Sequence, residues 1–127
     1  KYIKNLLQPY LDNEDNFNYM PTLIHADVNA DHILLDPESK KLTGIIDFGD
    51  IEIGDPDYDL MHVYDDYGVE FVDLILETYP HANREKLVQK LEFFNKTEGI
   101  QRLFWGIDEK NEELLKEGLE SLQQAAG

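Results

Sequence analysis

The sequence predicts an α+β fold, mainly α-helical, in which a small β-hairpin precedes about four helices. Three observations carry that prediction. Two short β-rich runs, His32–Leu35 and Leu42–Ile46, flank the polar connection DPESKK, as in a hairpin with a longer loop. After Gly54, apolar residues recur at helical spacing and helix-starting and helix-stopping residues punctuate them. The hydrophobic fraction is 42% over 127 residues, enough for one domain, residues 1–127, with a core of its own.

The elements follow in order. In residues 1–11, Ile3, Leu6, Leu7 and Tyr10 share one helical face, and Pro9 is expected to end the helix early. Residues 12–20 are polar and read as a loop. Residues 22–26 (TLIHA) are β-prone, and 27–31 (DVNAD) are turn-forming. The hairpin comes next, with Asp27 before its first strand and Asp47 after its second. An antiparallel ribbon returns to its starting point, so these two carboxylates are expected to be neighbours.

Asp55 then caps a helix with Pro56 at its first position, and Leu60, Met61 and Tyr64 supply its apolar side. Gly68 interrupts it. Val69–Tyr79 form a second helical stretch, ended by Pro80. Asn83 caps a long helix to about Asp108, with Leu87, Val88, Leu91, Phe94, Leu103 and Phe104 on the buried face. Phe93 also reads as core. Asn111 with Glu112 and Glu113 starts a last helix, which Leu115, Leu119 and Leu122 continue to its frayed end.

Charge narrows the function. The net charge is −16, and no Lys or Arg lies between Lys41 and Arg84, an interval with eleven Asp and Glu residues. Nucleic acid is excluded as a partner, since its phosphates would be repelled. A field of this sign attracts metal ions or polycations, or simply keeps the surface solvated. There is no cysteine for a disulfide or thiolate site, which fits a reducing compartment such as the cytoplasm. No apolar run approaches the roughly 18 residues of a membrane span. The chain opens at Lys1, without methionine, inside a helical pattern, which reads as a fragment.

His25-Ala26-Asp27 followed by His32 has the spacing of a catalytic loop H-x-D-x-x-x-x-N, with histidine in the asparagine place. Asp47-Phe48-Gly49 follows one hairpin later. Phosphoryl transfer needs a carboxylate to orient the attacking hydroxyl and take its proton. It also needs oxygen-rich ligands for magnesium. Asp27 fits the first role and Asp47 the second. Asp27, Asn29, Asp31 and Glu38 also fall on positions 1, 3, 5 and 12 of a calcium-binding EF-hand loop. His32 stands where that loop demands glycine, and β-prone residues flank it instead of helices, so calcium binding of this kind is rejected.

IIDFGD followed by GDPDYDL resembles the aminoglycoside phosphotransferase family, which shares the protein-kinase fold. The resemblance covers the whole chain in element order and is specific over residues 25–60. His32, the run LTGIIDFGD and Trp105-Gly106-Ile107 are similar to the 2''-phosphotransferase branch. The fold implied is a protein-kinase-like C-terminal lobe. The resemblance implies Asp27 as catalytic base, His32 and Asp47 as magnesium and nucleotide ligands, and Asp59 as a buried acid bracing the catalytic loop. It implies ATP or GTP as donor and a sugar hydroxyl of an aminoglycoside as acceptor. Asp65, Asp66 and Trp105 match its pattern for holding a polycationic substrate.

On chemistry alone, two readings of His32 stand: a metal ligand, or a strand-edge histidine bonded to backbone. Imidazole suits softer metals better than magnesium. His25 reads as a packed, hydrogen-bonded brace. No glycine-rich phosphate loop and no strand-borne lysine precede the catalytic loop. The nucleotide-binding N-terminal lobe is therefore expected upstream, and the piece alone is expected to be inactive. Two rival readings remain: a kinase of choline, homoserine or a sugar, and a non-catalytic metal- or polycation-binding relic.

Overall fold

In a computed structural model, residues 2–126 are described, and they divide into two compact units. The first comprises Lys1–Phe17 with Glu92–Gly127, and the second Asn18–Leu91. Each is taken separately.

The second unit carries two small antiparallel ribbons. Strand β1 (Thr22–Ile24) pairs with β4 (Glu52–Gly54), with Leu23 opposite Ile53. Strand β2 (Ile33–Leu35) pairs with β3 (Leu42–Ile45), and a bulge falls between Leu34 and Leu35. The β2–β3 pair is the expected hairpin, but its first strand starts one residue later. His32 ends a single 3-10 turn, Ala30–His32, capped by the Asn29 side chain. At the hairpin tip, Asp36 Oδ1 accepts the Ser39 and Glu38 amides, which holds the Asp36 carboxyl below the usual carboxylate range.

Strand β4 was not foreseen. Its residues are few, and its pairing with β1 depends on the chain folding back across the whole hairpin. After it, Asp55 caps the 3-10 turn Pro56–Leu60, and helix α2 (Met61–Leu76) continues from there. Gly68 breaks α2 with φ 80°, a left-handed conformation that glycine adopts without strain. The core of this unit contains Ile24, Met61, Val63, Val72, Leu87 and Leu91, the last two from the start of helix α3 (Arg84–Asp108).

In the first unit, helix α1 (Tyr2–Leu11) runs through Pro9 rather than stopping before it. Tyr10 still lies on the face foreseen: its ring stacks on Phe93 at 3.7 Å between centroids. The later part of α3 packs on α4 (Glu112–Ala126) through small residues. A β-carbon on Gly118 would stand 2.8 Å from the Gly99 carbonyl oxygen, and one on Gly106 2.8 Å from Leu115 Cγ. Asn111 caps α4 through the amides of Glu113 and Leu114. Phe104, expected to be buried, is 63% exposed in this chain.

Candidate active site

The loop that follows β1 is held by Asp59. Its Oδ1 accepts the Ala26 amide at 2.8 Å and its Oδ2 the His25 amide at 3.2 Å. Ala26 is left-handed, with φ 65°, a conformation that costs an alanine about 1–2 kcal/mol. The Asp59 grip offsets that cost. His25 is buried with both ring nitrogens engaged. Nε2–H donates to the Ile46 carbonyl at 2.8 Å, and Nδ1 accepts the Asp27 amide at 3.2 Å. Its ring lies 4.6 Å from that of Phe48. One neutral imidazole thus ties Asp27 to the residue that precedes Asp47, so the two segments cannot drift apart independently.

His32 stands between the two carboxylates. Its Nδ1 donates to the Asp27 carbonyl oxygen at 2.8 Å and lies 3.4 Å from Asp27 Oδ2. Its Nε2 lies 3.4 Å from Asp47 Oδ2. Asp47 is left-handed, with φ 61°, which turns its carboxylate back toward the histidine. Because Nδ1 carries the proton used on the carbonyl, neutral His32 presents a bare lone pair at Nε2 to a carboxylate. Two electron-rich groups facing at this distance call for a positive species between them. A proton meets the need, and the His32 pKa is accordingly raised. The bond to the Asp27 carbonyl is the main cause, and the charges of Asp27, Asp47 and Asp31 add to it against a burial penalty.

A cation between Nε2 and Asp47 meets the same need. Fixing one imidazole nitrogen on a carbonyl is the usual way a protein orients a metal-binding histidine. Among the described residues, no group of three or more His, Cys, Asp or Glu side chains is arranged to hold a metal ion. Magnesium completed by phosphate oxygens and water takes only one or two protein ligands.

The remaining candidates are distributed as follows. Asp66 accepts the Ala30 amide at 3.4 Å, so it contacts the catalytic loop itself. Asp65 is its exposed neighbour on α2. Trp105 belongs to the helical unit and is 51% exposed, so it is not a core residue of that unit.

Two features escaped sequence reasoning. His62 Nε2 lies 3.4 Å from Asp27 Oδ1, an oxygen that also accepts from Asn29 Nδ2 at 2.9 Å. Lys90, 2% exposed, places its Nζ 2.6 Å from both Asp55 and Asp57, and His81 donates to Asp57 at 2.9 Å. The Lys90 signal was present in the sequence: Leu87, Lys90, Leu91 and Phe94 share one helical stripe, and a lysine on an apolar stripe needs a buried acid. Nothing in the spacing of His62 marked it.

Known proteins share this fold. The GDP complex of wild-type aminoglycoside 2'-phosphotransferase-IIIa superposes with a TM-score of 0.89 at 31% identity, over 98% of this chain and 42% of that one. The GDP and kanamycin complex of APH(2")-IIIa gives a TM-score of 0.88 at 32% identity, with the same coverage. The gentamicin complex of APH(2")-IIa gives 0.83 at 32% identity, over 97% of this chain and 42% of that one. The chain therefore spans about two fifths of the length of these relatives, at 42%. Its fold is that of their helical lobe. Residues 3–94 match the phosphotransferase enzyme family, APH, and the chain belongs to that family.

Proposed function

We propose that the chain is the helical lobe of a phosphotransferase that moves the γ-phosphoryl group of ATP or GTP to a hydroxyl of a small cationic molecule, an aminoglycoside, in the cytoplasm. The observation that carries this reading is the line Asp27–His32–Asp47, with one imidazole between two carboxylates in the fold of this family. Asp27 takes the proton of the acceptor hydroxyl as its oxygen bonds to the γ-phosphorus. The bond from phosphorus to the bridging oxygen breaks, and its electron pair leaves with the nucleoside diphosphate. Asp47 and His32 are the groups that would hold magnesium, which when bound neutralises charge on the phosphates.

The relatives support both halves of the proposal. Among them are GDP complexes of the IIIa enzyme and a streptomycin and ATP complex of the IIa enzyme. Asp65 and Asp66 on α2 supply negative charge suited to ammonium groups. The strands expose Leu23, Leu35, Leu42, Ile45 and Ile53, more apolar surface than the small ribbons can cover themselves. A nucleotide base and a nucleotide-binding lobe would bury such a surface. Among the described residues no helix is long and apolar enough to cross a membrane.

The test is a phosphorylation screen of the full-length protein with ATP and GTP against aminoglycosides, choline and sugars. Transfer to an aminoglycoside is expected. It should vanish in Asp27→Asn while nucleotide binding persists, and Asp47→Ala should lose metal-dependent nucleotide binding. Transfer only to choline or a sugar would replace the acceptor, and normal turnover by Asp27→Asn would remove the carboxylate from its role.

A further inference from the structure

We propose that His62 is a positioning residue for the catalytic carboxylate, holding one oxygen of Asp27 so that the other is left to take the proton. The proposal rests on the reading of Asp27 as the base. It starts from the unequal surroundings of the two oxygens. Oδ1 accepts from Asn29 Nδ2 at 2.9 Å, from the same loop, and lies 3.4 Å from His62 Nε2, on α2. Among the described residues, the nitrogen facing Oδ2 is His32 Nδ1 at 3.4 Å, and its proton is already given to the Asp27 carbonyl at 2.8 Å. Oδ2 therefore keeps lone-pair capacity that Oδ1 has used.

A carboxylate on a loop can rotate about χ2, and rotation would exchange the two oxygens. Asn29 alone cannot prevent drift, because it sits on the same turn and moves with Asp27. His62 is anchored independently. It lies on α2 between Met61 and Val63, both buried in the core of this unit. One turn further along the same helix, Asp66 accepts the Ala30 amide. Helix α2 thus meets the catalytic loop at two points, His62 on the side chain of the base and Asp66 on the backbone three residues later. The helix sets both where the loop lies and which way its carboxylate faces.

In the proposed step the acceptor O–H proton passes to Oδ2 as the oxygen–phosphorus bond forms, and the diphosphate leaves with the electron pair of the broken bond. His62 neither gains nor loses a proton in it. Its contribution is to keep Oδ2 within reach of the hydroxyl, and misplacement by about 1 Å costs on the order of 100-fold in rate.

The experiment compares His62→Phe, His62→Gln and wild type in the full-length protein, reading kcat and KM separately. His62→Phe should lower kcat by roughly 10- to 100-fold, with the KM for nucleotide little changed. His62→Gln, which restores an N–H donor, should recover most of the loss. Asn29→Ala combined with His62→Phe should cost less than the sum of the two singles, because both hold one oxygen. An unchanged kcat in His62→Phe, or no rescue by glutamine, overturns the proposal. Crystal structures of the chain with and without His62→Phe give a readout independent of turnover. The Asp27 carboxylate should rotate or lose its bond to Asn29 in the variant, and an unmoved carboxylate overturns the proposal even where wild type transfers to no acceptor tried. Absence of wild-type transfer alone counts against the assigned reaction.

Discussion

Asp59→Asn tests the geometry on which the catalytic loop depends. In the native protein each Asp59 oxygen takes one amide, Ala26 on Oδ1 at 2.8 Å and His25 on Oδ2 at 3.2 Å. Hydrogen bonds to a charged acceptor contribute about 1.5–3 kcal/mol each, or roughly 3–6 kcal/mol for the pair. Asparagine keeps one oxygen, so one bond survives in neutral form at about 1 kcal/mol. Its NH2 group then faces the other amide, donor against donor. Against this loss, the left-handed Ala26 can relax and return on the order of 1 kcal/mol. The net local loss is about 2–4 kcal/mol.

Hydrogen exchange reads that loss where it occurs, which matters because the chain has two compact units and a single global unfolding energy would mix them. At 1.36 kcal/mol per decade, protection of the His25 and Ala26 amides should fall roughly 30- to 1,000-fold. The buried Val72 and Leu87 should change far less. A fall of less than about threefold at both amides would falsify the claim that Asp59 holds the loop, since it corresponds to under 1 kcal/mol.

Other expected outcomes follow from the packing and the charges. Gly118→Ala gains about 1 kcal/mol of helix propensity but drives a β-carbon into a backbone carbonyl that cannot swing away, at about 1–3 kcal/mol. The urea midpoint should fall, and a rise would mean that α3 and α4 are less close than described. Lys90→Met leaves the Asp55 and Asp57 carboxylates buried without their shared partner and should destabilise by about 3–5 kcal/mol, with partial recovery when Asp57→Asn is added. Equal unfolding midpoints for Lys90→Met and wild type would refute that network. In the metal-free chain, His32 should titrate above its ordinary 6.5 by proton NMR. Because the folded pKa is raised, its stabilising contribution is complete below the unfolded value and is lost as pH rises through the folded one. His32→Asn should remove that part of the pH dependence, and an unchanged profile would assign it elsewhere.

Much of this site is legible in the sequence because local chemistry writes it. The tripeptides around Asp27 and Asp47, the hairpin between them, and the Asp55-Pro56 helix start are all set by neighbours in the chain. Where reasoning fell short, partners are distant in sequence. Strand β4 exists only because β1 offers it an edge about 30 residues earlier, as the Ile24–Glu52 pairing shows. Lys90 meets Asp57 across 33 positions, and His62 meets Asp27 across a hairpin and a turn. Pro9 was read as a stop, yet α1 continues through it to Leu11. Phe104 fits the helical period, but the glycine contacts bring α3 and α4 together along other positions and leave that side chain outside.

The left-handed alanine beside Asp27 has an evolutionary corollary. With alanine at 26, the carboxylate at 59 offsets the cost of the twisted backbone. With glycine at 26 the twist is free, and position 59 could drift first to weaker acceptors. Changes at these two sites are therefore coupled: with glycine at 26 the loop keeps its left-handed turn without help from position 59.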